Sequence, residues 1–296
     1  MGKLQQKYIK EFVCLASNCP DTCCKGWQIY IDEKTGKDYL CDSGEIGKIA
    51  RESMRGKPYS YHLALSNKRC PYLTRDNLCK VIQEKGENAL SVVCSSHPRF
   101  THILYEDKFS FLSLSCPFVA SMFVSSLKNG GVEYEKIDMQ NPFLSQFYDT
   151  VCEESVNLGQ KLAQICDKDK QLSLLCSSLF SSLEYLEEET KQNLIAFDFD
   201  KIDKDYISNS TLFSSLFKYF ALVCYDEKSP VLPVAFIFAL GTIYLCSQFC
   251  NIEKGIYKFV KETEHSTKNI RQAVRILRSP KAKNILSKTP IFDLIY

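Results

Sequence analysis

Residues 14–27 read CLASNCPDTCCKGW and place four thiols, Cys14, Cys19, Cys23 and Cys24, within 11 residues. Thiolates are soft ligands that suit zinc, iron and iron–sulfur clusters, and such tight spacing lets one short loop wrap a metal. Moving outward, Cys70 and Cys79 bracket the loop CPYLTRDNLC, and Cys94 and Cys116 follow. Pro20, Pro71, Pro98 and Pro117 stand among them, so the region reads as loops held by local anchors. The candidate metal ligands are Cys14, Cys19, Cys23, Cys24, Cys70, Cys79, Cys94 and Cys116. Four thiolates complete one site; eight therefore mean two sites or several non-ligands, and spacing alone leaves that partition open. A structural site of this kind contributes ~10–16 kcal/mol of apparent folding energy. No histidine pair lies at finger-like spacing.

The chain has 296 residues and 15 cysteines. An odd cysteine number, a length that buries a core without staples, and a start (MGKLQQKYIK) with no apolar h-region all argue against a secreted disulfide scaffold. The expected location is cytoplasmic. A net charge of +2 gives no whole-protein field toward nucleic acid or a membrane. Residues 231–250, VLPVAFIFALGTIYLCSQFC, carry no charge and are long enough to span a bilayer. The run stands alone and is diluted by Pro233, Gly241 and Gln248, so it reads as a buried helix.

The expected fold class is α+β: a cysteine-rich metal-binding domain over residues 1–125 with a small hairpin, then a mainly α-helical domain over 126–296. Residues 80–96 predict a helix interrupted by Gly86. HILY and FSFLSLSC flank a turn at Glu106–Lys108 and predict the hairpin over 100–116. WQIYI at 27–31 predicts a further strand. Leu158, Leu162, Ile165 and Cys166 recur at helical spacing, as do Leu172, Leu175, Cys176, Leu179 and Leu183. Residues 187–205 read as an acidic connector, and 207–225, 231–250 and 255–278 as helices. The later cysteines Cys152, Cys166, Cys176, Cys224, Cys246 and Cys250 are read as packing residues, and Cys41 as no ligand.

Several of these blocks resemble a known family. Phe12-Val13-Cys14 with Cys19-Pro-Asp-Thr-Cys-Cys-Lys-Gly-Trp27, then Cys70-Pro-Tyr-Leu to Leu78-Cys79, Cys94-x3-Pro98-Arg99, and Leu112-Ser-Leu-Ser-Cys116-Pro117 are similar in order and spacing to the flagellin lysine N-methylases. That family lies within a wider group of CxxCxxCC zinc- or iron-chelating proteins. The resemblance covers about residues 8–125; His97 stands where the family carries an aromatic residue. It implies methyl transfer from S-adenosylmethionine to lysines of flagellin or another protein, with a cysteine-bound iron–sulfur cluster (4Fe-4S favoured, zinc the alternative). The rival readings are a non-catalytic iron- or zinc-binding module for metal handling or partner recruitment, and a zinc-stabilised adaptor.

Methyl transfer to lysine needs a neutral amine, which at pH 7 costs about 4.6 kcal/mol from a pKa near ~10.4. Asp21, His97, His102 and Tyr105 fall in the motif region as possible bases, and none is singled out. Arg99 is the candidate for holding the carboxylate of S-adenosylmethionine through its planar fork, with pinning of a backbone carbonyl as the other role. No G-x-G-x-x-G turn and no strand–helix alternation suited to a doubly wound methyltransferase is visible. Toward the end, Lys268, Arg271, Arg275, Arg278, Lys281, Lys283 and Lys288 form a basic stretch, with three arginines on one helix face. A solvated face is the plain reading, docking to an acidic protein surface the sharper one, and nucleic acid is not favoured.

Overall fold

A computed structural model describes residues 1–104, 106–168, 170–225, 231–264 and 266–289. The fold is mixed α and β and mainly helical. The chain divides into two compact units, one of residues 10–100 and one of residues 1–9 with 101–296. Residues 101–125, grouped with the cysteines on sequence grounds, thus belong with the helices.

The reason is a four-stranded sheet. Strands β1 (Lys3–Gln6), β5 (Arg99–Leu104), β6 (Asp107–Leu112) and β7 (Tyr134–Ile137) take the order β5-β6-β1-β7. β5 and β6 are the expected hairpin. β1 enters between β6, to which it runs parallel, and β7, to which it runs antiparallel. Its reading KLQQ shows no apolar alternation, because the buried Gln6 takes part through polar bonds: Leu112 N donates to its Oε1 at 2.7 Å, and its Nε2 donates to Tyr134 Oη at 3.3 Å. Buried Asp107 accepts from the backbone N–H groups of Gly2, Gln140 and Asn141. Burial opposes its charge, but these bonds hold its carboxyl below the usual range.

The helical part runs α5 (Pro117–Leu127), α6 (Pro142–Lys168), α7 (Lys170–Ser181), α8 (Glu188–Ile195), α9 (Lys204–Ser208), α10 (Ser210–Val223), α11 (Val231–Gln248), α12 (Ile252–Thr263), α13 (Thr267–Leu277) and α14 (Pro280–Leu286). α11 is apolar all round. Among the described residues it is the one helix long and apolar enough to cross a membrane, and 89% of it is buried inside the protein. Such a helix is the core of its unit. Three sequence expectations need correction. The 187–205 connector carries α8 and a 3-10 turn at Phe199–Lys201. The helix expected over 255–278 is two helices, because Ser266 caps α13 by accepting from Asn269 N. The helix over 207–225 starts at Ser210, where Asn209 accepts from Leu212 N.

The unit of residues 10–100 has a small antiparallel sheet in the order β2 (Tyr30–Ile31), β4 (Tyr61–Leu63), β3 (Met54–Arg55), with helices α1 (Glu33–Cys41), α2 (Glu45–Ser53), α3 (Lys80–Lys85) and α4 (Val92–Ser96). The helix expected over 80–96 breaks into α3 and α4 because Gly86 adopts φ 81°, a conformation open mainly to glycine. The core is Ile29, Ile31, Tyr39, Ile46, Met54 and Leu63 with Cys70, Tyr72 and Val81, and Cys24, Cys79 and Cys94 pack against it. Two acidic caps tie the helices together. Asp32 accepts from Thr35 N in α1 and from Val92 N in α4, both at 3.0 Å. Asp42 accepts from Gly44 N and Gly47 N at the start of α2 and pairs with Lys85 at the end of α3.

Candidate metal centre

The first and second cysteine blocks meet as backbone before they meet as thiols. Lys25 and Arg69 form an antiparallel bridge, Gly26 N donates to Lys68 O, and Cys70 N donates to Cys24 O, both at 2.8 Å. This lays residues 24–26 alongside 68–70 and brings the thiol of Cys70 to that of Cys24. The second block closes on itself: Leu73 bridges Cys79, and Lys80 N donates to Tyr72 O at 2.8 Å. Asn77, at φ 58°, turns the loop, and Arg69 Nη2 donates to Asn77 Oδ1 at 3.1 Å. Cys94 sits on α4, whose N-cap Ser91 accepts from Cys94 N at 3.4 Å.

All 15 cysteines are free thiols. Cys24 is the hub. Cys23 and Cys70 hydrogen-bond to its sulfur, and these two bonds draw the Cys24 thiol well below its ordinary range against the opposing effect of burial. Thr22 and the His97 imidazole act in the same direction. Donation to Cys24, then burial, push Cys23 and Cys70 far up. Burial raises Cys79, and raises Cys94 to about 11, with the charge of Cys24 adding to both. The arrangement is one thiolate held by two thiol donors, with further thiols near enough to feel its charge.

Of the eight predicted ligands, Cys23, Cys24 and Cys70 are in direct contact, and Cys14, Cys79 and Cys94 interact electrostatically with that group. Cys14 is exposed, and its Sγ accepts from Ala16 N at 3.4 Å. Cys19 closes a 3-10 turn by donating its N–H to Ala16 O. Cys116 belongs to the other unit, where its carbonyl opens α5 by accepting from Ala120 N at 3.0 Å. Among the described residues, no group of three or more His, Cys, Asp or Glu side chains is arranged to hold a metal ion. The thiols stand in hydrogen-bonding rather than ligating geometry.

Arg99 takes the pinning role. Its Nη2 donates to Phe12 O at 2.9 Å, and its guanidinium lies 4.9 Å from the centre of the Phe12 ring. His97 packs at a tilt against Trp27, with ring centres 5.6 Å apart, and meets Phe100 edge-on. His102 lies on β5 over Phe109 and Phe111, and desolvation of its ring lowers its pKa although the residue is exposed. Asp21 Oδ1 accepts from Thr22 N at 2.8 Å. Tyr105 lies outside the described residues. Thr22 and Ser91, which orient Cys24 and Cys94, were not singled out in the sequence. The readable signal for Ser91 was its place immediately before the short run VVCSS, the usual position of a helix cap.

The comparison with curated proteins is decisive for the family. The chain is 39% identical over 127 residues to the flagellar biosynthetic protein FliU of Salmonella muenchen, a match covering 40% of this chain and 74% of that protein. The chain belongs to the flagellin lysine N-methylase family. Lysine-N-methylases of Salmonella typhimurium and Salmonella choleraesuis match at the same 39% over 127 residues, which is 31% of their own length. The chain therefore aligns with about a third of those methylases. No protein-family model and no solved structure matches it.

The metal that the sequence resemblance implies meets suitable donors in these thiols. Their chemistry fits: the donors are soft, several gather on one loop pair, and one already favours its ionised form. Ligation asks for rotation of thiols that now donate to Cys24, and for their deprotonation.

Proposed function

We propose that this chain is a protein-lysine N-methylase-like protein that transfers methyl groups from S-adenosylmethionine to lysines of flagellin or a similar protein, with a cysteine-held iron–sulfur cluster, 4Fe-4S before zinc. The observation that carries it is the 39% identity to proteins named lysine-N-methylase over a 127-residue segment. The gathering of Cys23, Cys24 and Cys70 supports the metal. Cys14, Cys79 and Cys94 would complete the donor set, and a bound cluster would supply structural cross-linking and a Lewis-acidic or redox centre. The chain's own task is to deliver a neutral lysine amine. Of the possible bases, His102 stands over Phe109 and Phe111, where desolvation lowers its pKa and disfavours its charged form; Arg99, which donates to Phe12 O, is the proposed holder of the S-adenosylmethionine carboxylate.

The test is anaerobic incubation of the metal-loaded protein with S-adenosylmethionine and flagellin, read by mass spectrometry. A methyl mass on lysine is expected. No transfer by protein with intact metal and sulfide would sink the reading. It would favour the second one, a metal-binding module, which is supported by the match reaching only 31% of the methylases.

A further inference from the structure

The basic face of α13 borders a cavity of about 460 Å³. Arg271, Arg275 and Arg278 form its rim, and Val231, Val234, Ile270 and Val274 supply apolar walls. The arginines recur at i, i+4 and i+7, so they stack along one side of the helix over about 10 Å. All three are exposed. Among the described residues Arg271 and Arg275 form no ion pair. Nearby cations behave differently: Lys254 pairs with Glu189, Lys258 with Glu187 and Lys268 with Glu184. Glu184, Glu187 and Glu189 are thus engaged by lysines, and Arg271 and Arg275 keep their charge beside an apolar hollow. A solvated helix face gives arginines at this spacing, but it does not place them around a cavity walled by valine and isoleucine.

We infer that this cleft is a docking site for an acidic protein segment that inserts a bulky apolar side chain between flanking carboxylates. Planar guanidinium forks match carboxylates in pairs. A row about 10 Å long suits an extended chain carrying several acids better than a single compact anion, and the cavity accepts one or two aliphatic side chains. The inference rests on the reading that the chain acts on a protein, and says how that protein is held.

The probe is a fluorescein-labelled peptide with glutamates on both sides of a leucine pair, followed by anisotropy on the full chain. Binding is expected, weakening about tenfold in Arg271→Glu/Arg275→Glu and falling with added salt. Ile270→Ala should weaken it without changing the salt slope. A version with lysine for glutamate should not bind. Circular dichroism of each variant verifies the fold. Equal affinity for wild type and the double variant, no peptide binding at all, or binding of dodecyl phosphate or duplex DNA in place of the peptide would each overturn the proposal. Anisotropy is read without S-adenosylmethionine, so the two readings separate. Methyl transfer without peptide binding sinks the cleft, and peptide binding without methyl transfer sinks the methylase.

Discussion

Cys24 carries the most consequential chemistry at the scale of single residues. Two thiols donate to it, so in the metal-free protein it is the thiolate while Cys23 and Cys70 stay protonated. Alkylation follows the thiolate fraction. Iodoacetamide at about pH 6 should therefore label Cys24 before the exposed Cys41, as mapped by peptide mass spectrometry. Labelling of Cys41 first would contradict the assignment of the hub. The same network sets proton release. If four thiols bind one zinc and Cys24 begins ionised, loading near neutral pH should release about three protons, measured by calorimetry in buffers of different ionisation enthalpy.

A second residue-scale feature was invisible in the sequence. Glu264 lies where α12 ends, accepts the Tyr219 hydroxyl, and is pushed up to about 7 by burial; Glu262 is raised to about 7 in the same way. The folded protein keeps protons on these carboxyls where the unfolded chain has lost them. Stability therefore falls as pH rises from about 4.5 to about 7, by roughly 3 kcal/mol per group. Glu264→Gln should flatten that slope in denaturant melts between about pH 5 and pH 8. An unchanged slope would mean that Glu264 is not the group responsible. In KFVKETEH nothing marks these acids as buried, because their partners are distant in sequence: Leu186 N and Glu187 N donate to Glu262, and Glu264 meets α10 and the segment after β6. Ser113 after β6 and Tyr219 on α10 hydrogen-bond to Glu264, and Leu114 N donates to the same Tyr219 hydroxyl. The cysteine hub was half legible. The adjacency of Cys23 and Cys24 is in the sequence, but the arrival of Cys70 depends on a backbone pairing of residues 24–26 with 68–70.

Among the elements, α11 was readable as a buried helix because it lacks any polar face. The division of the 80–96 helix was signalled by Gly86, but a glycine alone does not say whether a helix bends or stops; its φ of 81° stops it. The join between α12 and α13 was missed because their apolar positions run on in nearly the same period, and the Ser266 cap sits inside that run. Where α11 and α12 cross, Gly255 lies so near that a Cβ would come within 2.4 Å of Cys246 N and 2.5 Å of Cys246 Cα. Backbone atoms cannot rotate aside. Gly255→Ala should therefore lower stability by about 1–3 kcal/mol despite the better helix propensity of alanine. Urea midpoints check this, and a neutral or stabilising result would show that the two helices separate freely.

For the molecule as a whole, two units with separate cores predict separate responses to metal. The core of residues 10–100 is small and leans on its thiols, whereas the other unit has α10, α11 and α12 packed around large buried aromatic side chains. Chelation of the loaded protein should shift an early melting transition to lower temperature and leave a later, strongly helical one in place, as followed by calorimetry and far-ultraviolet dichroism. A single transition moving as one would contradict it. The division itself was not readable, because a boundary in composition near residue 125 hid the fact that the opening residues join the later sheet.

That arrangement has a consequence for synthesis. Lys3 pairs with Lys108, so at ~5–20 residues per second β1 waits on the order of five to twenty seconds after leaving the ribosome before its neighbour exists. By the end of that interval the nascent chain presents the cysteine loops through Cys94, with β1 still idle. A metal held by those thiols would find its ligands on the growing polypeptide before β1 has paired.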